Sequence, residues 1–600
     1  MTIQSIAPPP EAGRLPLPHL SPDGFDASTP GQEELGNGAI AERASTVHRP
    51  RHKLVTADLL TAVVLLAVAA YRAAAIGTHG EPSGLDFGNW LMFGHQALGH
   101  PLARAAHTTY PPVVPVLAVA ITQVLGVVWG TAVLAGVAST APALGTYIAC
   151  RLGGARWSAV VAAVLLAATS SSGEAAAWGG VPQLLGLGLT AALLGVAQRA
   201  LVRRRWQTGA AFGLLLLALA ATSHLILAQA GAALVVLVLI GAILQPRSFG
   251  RGTWLGKQGW TTMLFLALVP SAVLVPLYLK LLPTVGGTFV SQGSGSSSAP
   301  MVVFLQSMFF IYRDGPWFWK PALIITAFTP VLLGSRKYRH RPDWAIVTAL
   351  DLSLTVEAVL SGQERLIYVA PIAVALAAAM WLSVLPELNW RERSPRTAPR
   401  STRLRVPGTI SLLTTLAVAY VSAKGLAFFP TQRAFYDTFV PPGTVAGLNW
   451  IRYNTPADAL IAVAPINGAP YGWWVQGYGR RAALVGSEDQ WLNFPEERAR
   501  ANEVDALLSE QDPLSAAVLE RAAQLRIQYL LLPWAWGGLA LPDLAAYKRA
   551  YPRSVVFDNQ AMVVVRVTPQ LHLSGLLTNS AHASYEDRAR ASVPKVESLR

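Results

Sequence analysis

Long apolar runs separated by short polar connections occupy the chain from residue 55 to residue 427. A helix needs about 20 apolar residues to cross the hydrocarbon core of a bilayer, and most of these runs approach that length. They lie near 55–77, 113–129, 130–150, 157–172, 181–198, 207–222, 224–244, 260–282, 319–334, 343–360, 365–386 and 406–427. The pattern predicts a polytopic α-helical membrane protein.

Lysine and arginine are concentrated in alternate connections between the runs, which sets an expected orientation in the membrane. The basic clusters lie at 49–53, 151–156, 199–205, 247–257, 336–341 and 391–405. Cytoplasmic loops carry the excess of positive charge, and all these clusters face the cytoplasm only if one early run does not cross. The best candidate is 113–129, which contains Pro115 and follows two prolines. We therefore predict about eleven crossings of the plasma membrane with a cytoplasmic N-terminus.

The pattern changes after residue 428, where short apolar segments alternate with helical ones. Residues 459–465 and 527–533 are typical of buried strands, and 554–567 of a hairpin turning at Asp558-Asn559-Gln560. Residues 443–454 and 496–526 are helical in character. Alternating strands and helices predict a small α/β domain, which the charge pattern places outside the cytoplasm.

These patterns divide the chain into four predicted parts. The first 50 residues are rich in Pro, Gly, Ser and Glu without a sustained apolar run, which is typical of disorder. The predicted parts are a disordered cytoplasmic tail at 1–50, a transmembrane domain at 51–428, an extracytoplasmic α/β domain at 429–570 and a flexible tail at 571–600.

Composition excludes several classes of protein. Hydrophobic residues make up 52% of the chain, charged residues 13%, and the mean hydropathy is +0.39, which argues against a single soluble core. The net charge of +14 lies in short loops between apolar runs, so we expect no nucleic-acid partner. The single cysteine, Cys150, excludes an intramolecular disulfide.

The first outer loop carries the most informative acid, Asp86, within Gly84-Leu-Asp-Phe-Gly-Asn-Trp90. An amphipathic helix over about 88–99 follows, and then Tyr110-Pro-Pro112. A carboxylate can take the proton of an attacking hydroxyl, and it can also hold a divalent cation such as Mg²⁺ or Mn²⁺ against a leaving phosphate. The alternative is that Asp86 only caps the helix that begins at Phe87.

This order of acid, surface helix and Pro-Pro segment resembles that of the GT-C membrane glycosyltransferases, which use polyprenyl-phosphate sugars. Two further segments resemble a pattern found in bacterial and archaeal members, Trp450-Ile-Arg-Tyr-Asn-Thr-Pro456 and Tyr471-Gly-Trp-Trp-Val-Gln-Gly477. The resemblance covers roughly residues 50–570, as architecture and short motifs. It implies a GT-C-like fold, a polyprenyl-phosphate sugar donor in the lipid bilayer, and an envelope glycan, lipid or protein as acceptor.

The resemblance also implies roles for residues of other outer loops. Glu174 is at the place of a second acid found in many GT-C members. The alternative is that it is a solvated loop carboxylate. The donor phosphate would be held by His224, Arg365 and Tyr368; a structural histidine, and an ion pair of Arg365 with Glu357 or Glu364, are the alternatives. The residues expected to contact substrate are Tyr110, Trp178, Glu357, Trp473 and Trp474.

We therefore expect an inverting membrane glycosyltransferase that works on the outer face, with Asp86 as base or cation ligand. A transporter or flippase of lipid-linked sugars is the main alternative. Asp351, a charge within the run 343–360, is the residue that most favours it. The third hypothesis is a non-catalytic scaffold protein of cell-envelope assembly.

Overall fold

The computed structural model describes the chain in segments. They are 52–82, 84–100, 110–153, 157–202, 206–244, 275–276, 278–279, 342–361, 368–392, 405–463, 471–484, 499, 502–503, 515–533, 548–549, 552–559 and 561–567. Met1–Leu54 and Val55–Arg600 are separate compact units, and the architecture below is that of the second. Both predicted tails lie outside the described residues.

The apolar runs that fall in the described segments are helical. The helices are α1 His52–Gly77, α2 Phe87–Ala97, α3 Val113–Leu152, α4 Trp157–Ala167, α5 Ser170–Trp178, α6 Val181–Val202, α7 Trp206–Ala220, α8 His224–Leu244, α9 Pro342–Ser361, α10 Ala370–Glu392 and α11 Arg405–Asp437. The predicted run 319–334 and most of 260–282 lie outside the described residues. Each remaining run coincides with one helix or with part of one, except 157–172, which covers α4 and the first residues of α5.

Three of these helices are long and apolar enough to cross a membrane. They are Thr56–Gly77, Val113–Leu152 and Val181–Arg199. A fourth is added if α4 and α5, which are bent by 46° at a short break, form one span. This test covers the described residues alone, so the total of about eleven crossings stays a prediction.

Helix α1 and the second part of α3 run in opposite directions, which defines two ends of the helical bundle. At one end, Asp58 accepts a hydrogen bond from Tyr147 and forms an ion pair with Arg151 at 3.1 Å. At the other end, Gly77 lies against the ring of Trp129. Asp58 and Gly77 are 19 residues apart on α1, or about 29 Å at 1.5 Å per residue. The bundle is therefore about as long as a bilayer core is thick.

Helix α3 is sharply bent near its middle. Gly126 has φ 76° and ψ 165°, values outside the helical region. The chain doubles back there, because a side chain added at Gly130 would begin only 2.7 Å from the Cα of Thr122. The part before the bend starts beside α7, where the Val113 amide donates to Ala221. Both its ends thus lie at the Gly77 end of the bundle, in agreement with the predicted non-crossing run.

The segment that carries Glu174 forms the helix α5. The Thr169 hydroxyl accepts from the Ser172 amide at 3.3 Å and caps the first turn. Three alanines follow Glu174 and favour the helix. The helix ends at Gly179, in the left-handed conformation with φ 92°. Glu174 is therefore on a helix rather than in a loop.

The last long helix, α11, continues to Asp437, well beyond the predicted boundary at 428. It contains Pro430, which has no N–H to bond the carbonyl of Leu426 four residues earlier. The Tyr71 hydroxyl of α1 donates to that carbonyl at 3.2 Å. A hydrogen bond from a distant segment thus replaces the helical bond that Pro430 cannot make. The local sequence does not predict this contact.

The chain after α11 forms a five-stranded sheet with short helices. These elements are α12 Thr444–Asn454, β1 Leu460–Val463, α13 Tyr471–Gly477, β2 Ala482–Leu484, α14 Ala516–Gln524, β3 Tyr529–Pro533, β4 Val555–Asp558 and β5 Met562–Arg566. The strand order is β2-β1-β3-β5-β4, with β1 parallel to β2 and β3, and β5 antiparallel to β3 and β4. The predicted strands and hairpin are confirmed.

The central strands β1, β3 and β5 are covered on both faces, which explains why they are mostly apolar rather than alternating. Along β1, Leu460 and Ala462 pack with α14, whose first turn is capped by Ser515. Ile461 and Val463 face the other way and join the large apolar cluster that includes Phe87 of α2. Side chains alternate between the two faces of a strand, so one strand contributes to two cores.

Candidate functional site

Two loops far apart in sequence lie against each other at the Gly77 end of the bundle. The Asp86 amide donates to the Trp178 carbonyl at 3.2 Å, and the Trp90 indole donates to the Gly179 carbonyl at 2.7 Å. Gly84, with φ 100°, lies so close that an added side chain would begin 2.8 Å from the backbone carbon of Trp178. The contact brings the start of α2 to the end of α5.

Asp86 occupies the N-cap position of α2 but makes no capping hydrogen bond with its side chain. Its backbone is helical, with φ −88° and ψ −10°, whereas a capping side chain usually needs an extended backbone. The residue is 4% exposed. Capping therefore does not account for this buried carboxyl group.

Glu174 projects from α5 toward α11. The Tyr436 hydroxyl donates to its Oε1 at 3.1 Å, and the Tyr368 hydroxyl forms a second hydrogen bond with it. Asp86 is linked to the end of the same helix α5 through the hydrogen bond from its amide to the Trp178 carbonyl, at 3.2 Å. Glu174 is thus partnered and half-buried, contrary to the alternative of a solvated loop acid.

Trp178 closes the other side of this group. Its indole donates to the Tyr368 hydroxyl at 3.3 Å, and the two rings meet edge to face with centroids 6.4 Å apart. We refer to Asp86, Glu174, Trp178, Tyr368 and Tyr436 as the carboxylate site. It combines two carboxyl groups, two phenols and an indole at the end of an apolar bundle.

Tyr110 and His224 form a second group, packed against Trp90 of α2 next to the carboxylate site. The Tyr110 ring lies 4.8 Å from Trp90 and 5.2 Å from His224, measured between ring centroids. His224 is the first residue of α8, and Trp90 is one helical turn after Asp86. The structure thus brings these two predicted ligand residues together and links them through Trp90 to Asp86.

Trp473 and Trp474 lie on α13, where the backbone of both residues packs against Gly88 of α2. Their side chains are 0% and 1% exposed. Neither indole N–H has a hydrogen-bond partner within the part of the chain that the structure describes. Contact of these two rings with a substrate stays a prediction, and their visible role is to join α13 to α2.

Two predicted site residues fall outside what the structure describes. Arg365 lies between α9 and α10, in a segment that is not described. Glu357 belongs to α9, but its side chain is not described. Their predicted roles in phosphate and substrate binding are untested.

Two residues important to the site were missed from the sequence. Tyr436 lies 262 residues from its partner Glu174 and belongs to no motif. Arg72 is completely buried on α1; its guanidinium donates to the Thr169 carbonyl at 3.0 Å and lies 5.5 Å from the centre of the Phe429 ring. Arg72 thereby braces the break between α4 and α5 that orients Glu174. A charge inside an apolar run was the only available signal for it.

Asp86 was predicted as a possible cation ligand, and such a site needs further donor groups around it. Among the described residues, no three His, Cys, Asp or Glu side chains gather as a metal site would require. Asp86 and Glu174 provide two carboxyl groups, and the phenols beside them are poor ligands for Mg²⁺. The described residues therefore do not form a complete cation site, and a metal requirement stays a prediction.

Comparison with known proteins finds likeness in structure only. No family model and no curated protein matches the sequence. The crystal structure of ArnT from Cupriavidus metallidurans in the apo state aligns with 86% of this chain and 98% of its own, at 15% identity and a TM-score of 0.48. The same protein bound to undecaprenyl phosphate aligns over 87% and 99%, at 14% identity and a TM-score of 0.46. At these TM-scores the likeness carries no argument about activity.

Proposed function

We propose that this protein is a membrane glycosyltransferase that moves a sugar from a polyprenyl-phosphate donor to an acceptor hydroxyl. The observation that carries the proposal is the carboxylate site. Two buried or half-buried acids, Asp86 at the start of α2 and Glu174 on α5, are brought to one end of an apolar helical bundle by the contact between these two helices. Such a position suits a donor whose lipid stays in the bilayer while its sugar is at the surface.

In the proposed reaction, Asp86 is the general base. The acceptor hydroxyl attacks the anomeric carbon, its proton passes to the Asp86 carboxylate, and the bond from the anomeric carbon to the phosphate oxygen breaks. A single displacement of this kind inverts the configuration of that carbon. Burial favours proton transfer, because a poorly solvated carboxylate is a stronger base than one in water.

Glu174 is proposed to position the reacting groups rather than to accept the proton. Two phenols already hydrogen-bond to its carboxylate, which fixes its orientation. His224 and Tyr110 are proposed to contact the donor beside Trp90, with Arg365 as the phosphate ligand that the sequence resemblance implies.

The carrier lipid is proposed on chemical grounds. An apolar bundle beside a polar site suits a long isoprenoid chain that carries a phosphate-linked sugar. Undecaprenyl phosphate, which is bound in one of the ArnT structures, belongs to that class of carrier. The acceptor is proposed to be a glycan, lipid or protein of the cell envelope.

The decisive experiment offers a panel of polyprenyl-phosphate sugars, with candidate acceptors, to the full-length protein in nanodiscs. We expect one donor to be consumed, and Asp86→Asn to slow transfer by at least about a hundredfold, as loss of a general base does. Mass spectrometry follows donor and product. Asp458→Asn, an exposed aspartate of the sheet-containing region, is the matched control and should retain the wild-type rate.

Two other outcomes of this experiment would contradict the proposed mechanism or the proposed function. Transfer by Asp86→Asn at the wild-type rate would remove Asp86 from the mechanism. If no donor is consumed but a fluorescent lipid-linked sugar crosses the bilayer of proteoliposomes, the protein is a transporter. Asp351, half-buried in α9, would then be the first residue to change.

A further inference from the structure

A second polar group on α2 has a composition unlike that of the carboxylate site. His95, near the C-terminal end of α2, meets Arg480, which follows α13, and the Arg480 Nη1 lies 2.9 Å from the His95 Nδ1. Arg452 of α12 is close enough for its charge to act on both residues. His95 is nine residues after Asp86, or about 13 Å along the helix. Two guanidinium groups and an imidazole therefore come together at a place distinct from the carboxylate site.

No carboxylate in the described segments forms an ion pair with Arg452 or Arg480. Two acids of the same region act on other groups. Glu81 accepts the backbone amides of Gly443 and Val445, and Asp458 acts on the neighbouring Arg481. The positive charge of this group is thus not balanced locally by the described residues.

The guanidinium groups retain most of their hydrogen-bonding capacity. Among the described residues, the Arg452 guanidinium has ring contacts alone, with Tyr453 at 5.6 Å and Tyr478 at 5.7 Å from its Cζ to the ring centres. Arg480 uses Nη1 toward His95, while its buried Nε has no partner among the described residues. By contrast, Arg481 is buried and bonds Thr455 through both Nε and Nη2, so its role is structural.

Arg480 follows the end of α13, with φ of +56° in the left-handed region. Burial, with the added repulsion of Arg480, Arg452 and His100, lowers the pKa of His95 to about 4, so this imidazole is neutral near pH 7. The two guanidinium groups are then the cations of the group, and their mutual repulsion is relieved when an anion enters.

We propose that Arg452, Arg480 and His95 form a binding site for a phosphate-class anion, between α2 and the sheet-containing region. The planar fork of arginine matches two oxygens of a phosphate, and the two guanidinium groups can bind from neighbouring sides. The neighbouring tyrosines orient Arg452 through their rings. The anion is either a soluble phosphate or the phosphate of a lipid headgroup.

The test measures binding, not transfer, so it stands apart from the proposed glycosyltransferase activity. In the first arm, inorganic phosphate is titrated against the full-length protein in neutral detergent at constant ionic strength, and the melting temperature is followed. In the second arm, phosphatidylglycerol is added to phosphatidylcholine nanodiscs, and retained lipid is counted by native mass spectrometry. A response in the first arm alone identifies a soluble anion, and in the second alone a headgroup.

We expect Arg452→Gln and Arg480→Gln each to weaken binding by at least about tenfold, the effect of losing one charge-assisted contact. Arg480→Lys should retain part of the affinity because it keeps the charge. Arg526→Gln is the matched control: Arg526 is exposed, lies in the same region, and also has positive φ, at +59°. It should bind as the wild type does.

Three results would overturn the proposal. They are no response of the wild type in either arm, equal binding by both glutamine variants and the wild type, and an equal loss in Arg526→Gln, which would mean attraction by net charge alone. Arg452→Gln keeps the test valid if Arg480→Gln does not fold, because the Arg452 guanidinium makes no hydrogen bond to described residues. Melting temperatures without phosphate identify a folding defect.

Discussion

At the scale of single residues, the carboxylate site depends on hydroxyl groups that hold carboxylates in place. The Tyr436 hydroxyl donates to Glu174 at 3.1 Å and so connects α11 to α5. Tyr368 bonds Glu174 and accepts from Trp178. A residue without a reactive group of its own can therefore set the geometry of the residues that react.

We expect Tyr436→Phe to slow transfer by roughly ten- to a hundredfold, because a hydrogen bond to a charged group contributes about 1.5–3 kcal/mol. The change removes only the hydroxyl, so the ring packing stays. Tyr420→Phe is the control, since Tyr420 lies on the same helix and is 57% exposed. Transfer rates are measured for both at saturating donor. An equal rate for Tyr436→Phe and the wild type would show that the bond to Glu174 has no part in transfer.

At the scale of elements, the site is held by the contact between the start of α2 and the end of α5. Gly84 and Gly179 both have positive φ and face the opposite loop across a short distance. A side chain at Gly179 would begin 3.1 Å from the Phe87 ring, and one at Gly84 would meet backbone. Glycine at these positions permits both the left-handed backbone and the close approach.

A pair of alanine substitutions separates these two requirements. Gly80 and Gly84 have φ of 83° and 100°, but nothing lies within 4 Å of a side chain added at Gly80. Both substitutions should cost about 1–2 kcal/mol for the backbone conformation. Gly84→Ala should cost about 1–3 kcal/mol more for overpacking, and should also reduce transfer.

The measurements are the melting temperature and the transfer rate of the two variants in the same nanodiscs. We expect Gly84→Ala to melt lower than Gly80→Ala and to be the slower enzyme. If the two variants behave alike, the contact between the loops does not position Asp86.

At the scale of the whole molecule, the bundle and the sheet-containing region are joined close to the site. Glu81, between α1 and α2, accepts the amides of Gly443 at 2.7 Å and Val445 at 2.9 Å, at the start of α12. Burial raises the pKa of Glu81, and these two hydrogen bonds oppose that rise. The side-chain amide of Asn559 donates to the Gly443 carbonyl at 2.7 Å and connects the β4–β5 turn to the start of α12.

We expect Glu81→Ala to loosen this junction, because it leaves two amides at the start of α12 without their acceptor, at a cost of about 1–3 kcal/mol. Hydrogen exchange should become faster over 443–454, while exchange at the Asp58 end of α1 stays the same. Glu81→Gln keeps an acceptor oxygen and should have a smaller effect. Unchanged exchange over 443–454 in Glu81→Ala would contradict the junction.

The sequence by itself determined most of the helices and strands, and which carboxyl groups are candidates for the site. The apolar runs predicted the helices, because their length and composition reflect the bilayer rather than any particular neighbour. The apolar segments after residue 428 predicted the strands for a similar reason, since a strand buried on both faces is apolar throughout. Asp86 and Glu174 stood out because carboxyl groups near helix ends in an apolar chain are few.

Only the tertiary structure decided which of these residues meet. The helix at Ser170–Trp178, the continuation of α11 through Pro430, and the Tyr436–Glu174 bond depend on partners roughly a hundred or more residues away, such as Arg72 for Thr169 and Tyr71 for Leu426. The burial of Trp473 and Trp474 likewise follows from the packing of α13 on α2. Periodicity and local propensity record a residue's neighbours in the chain, whereas these contacts depend on how helices pack, which local patterns do not encode.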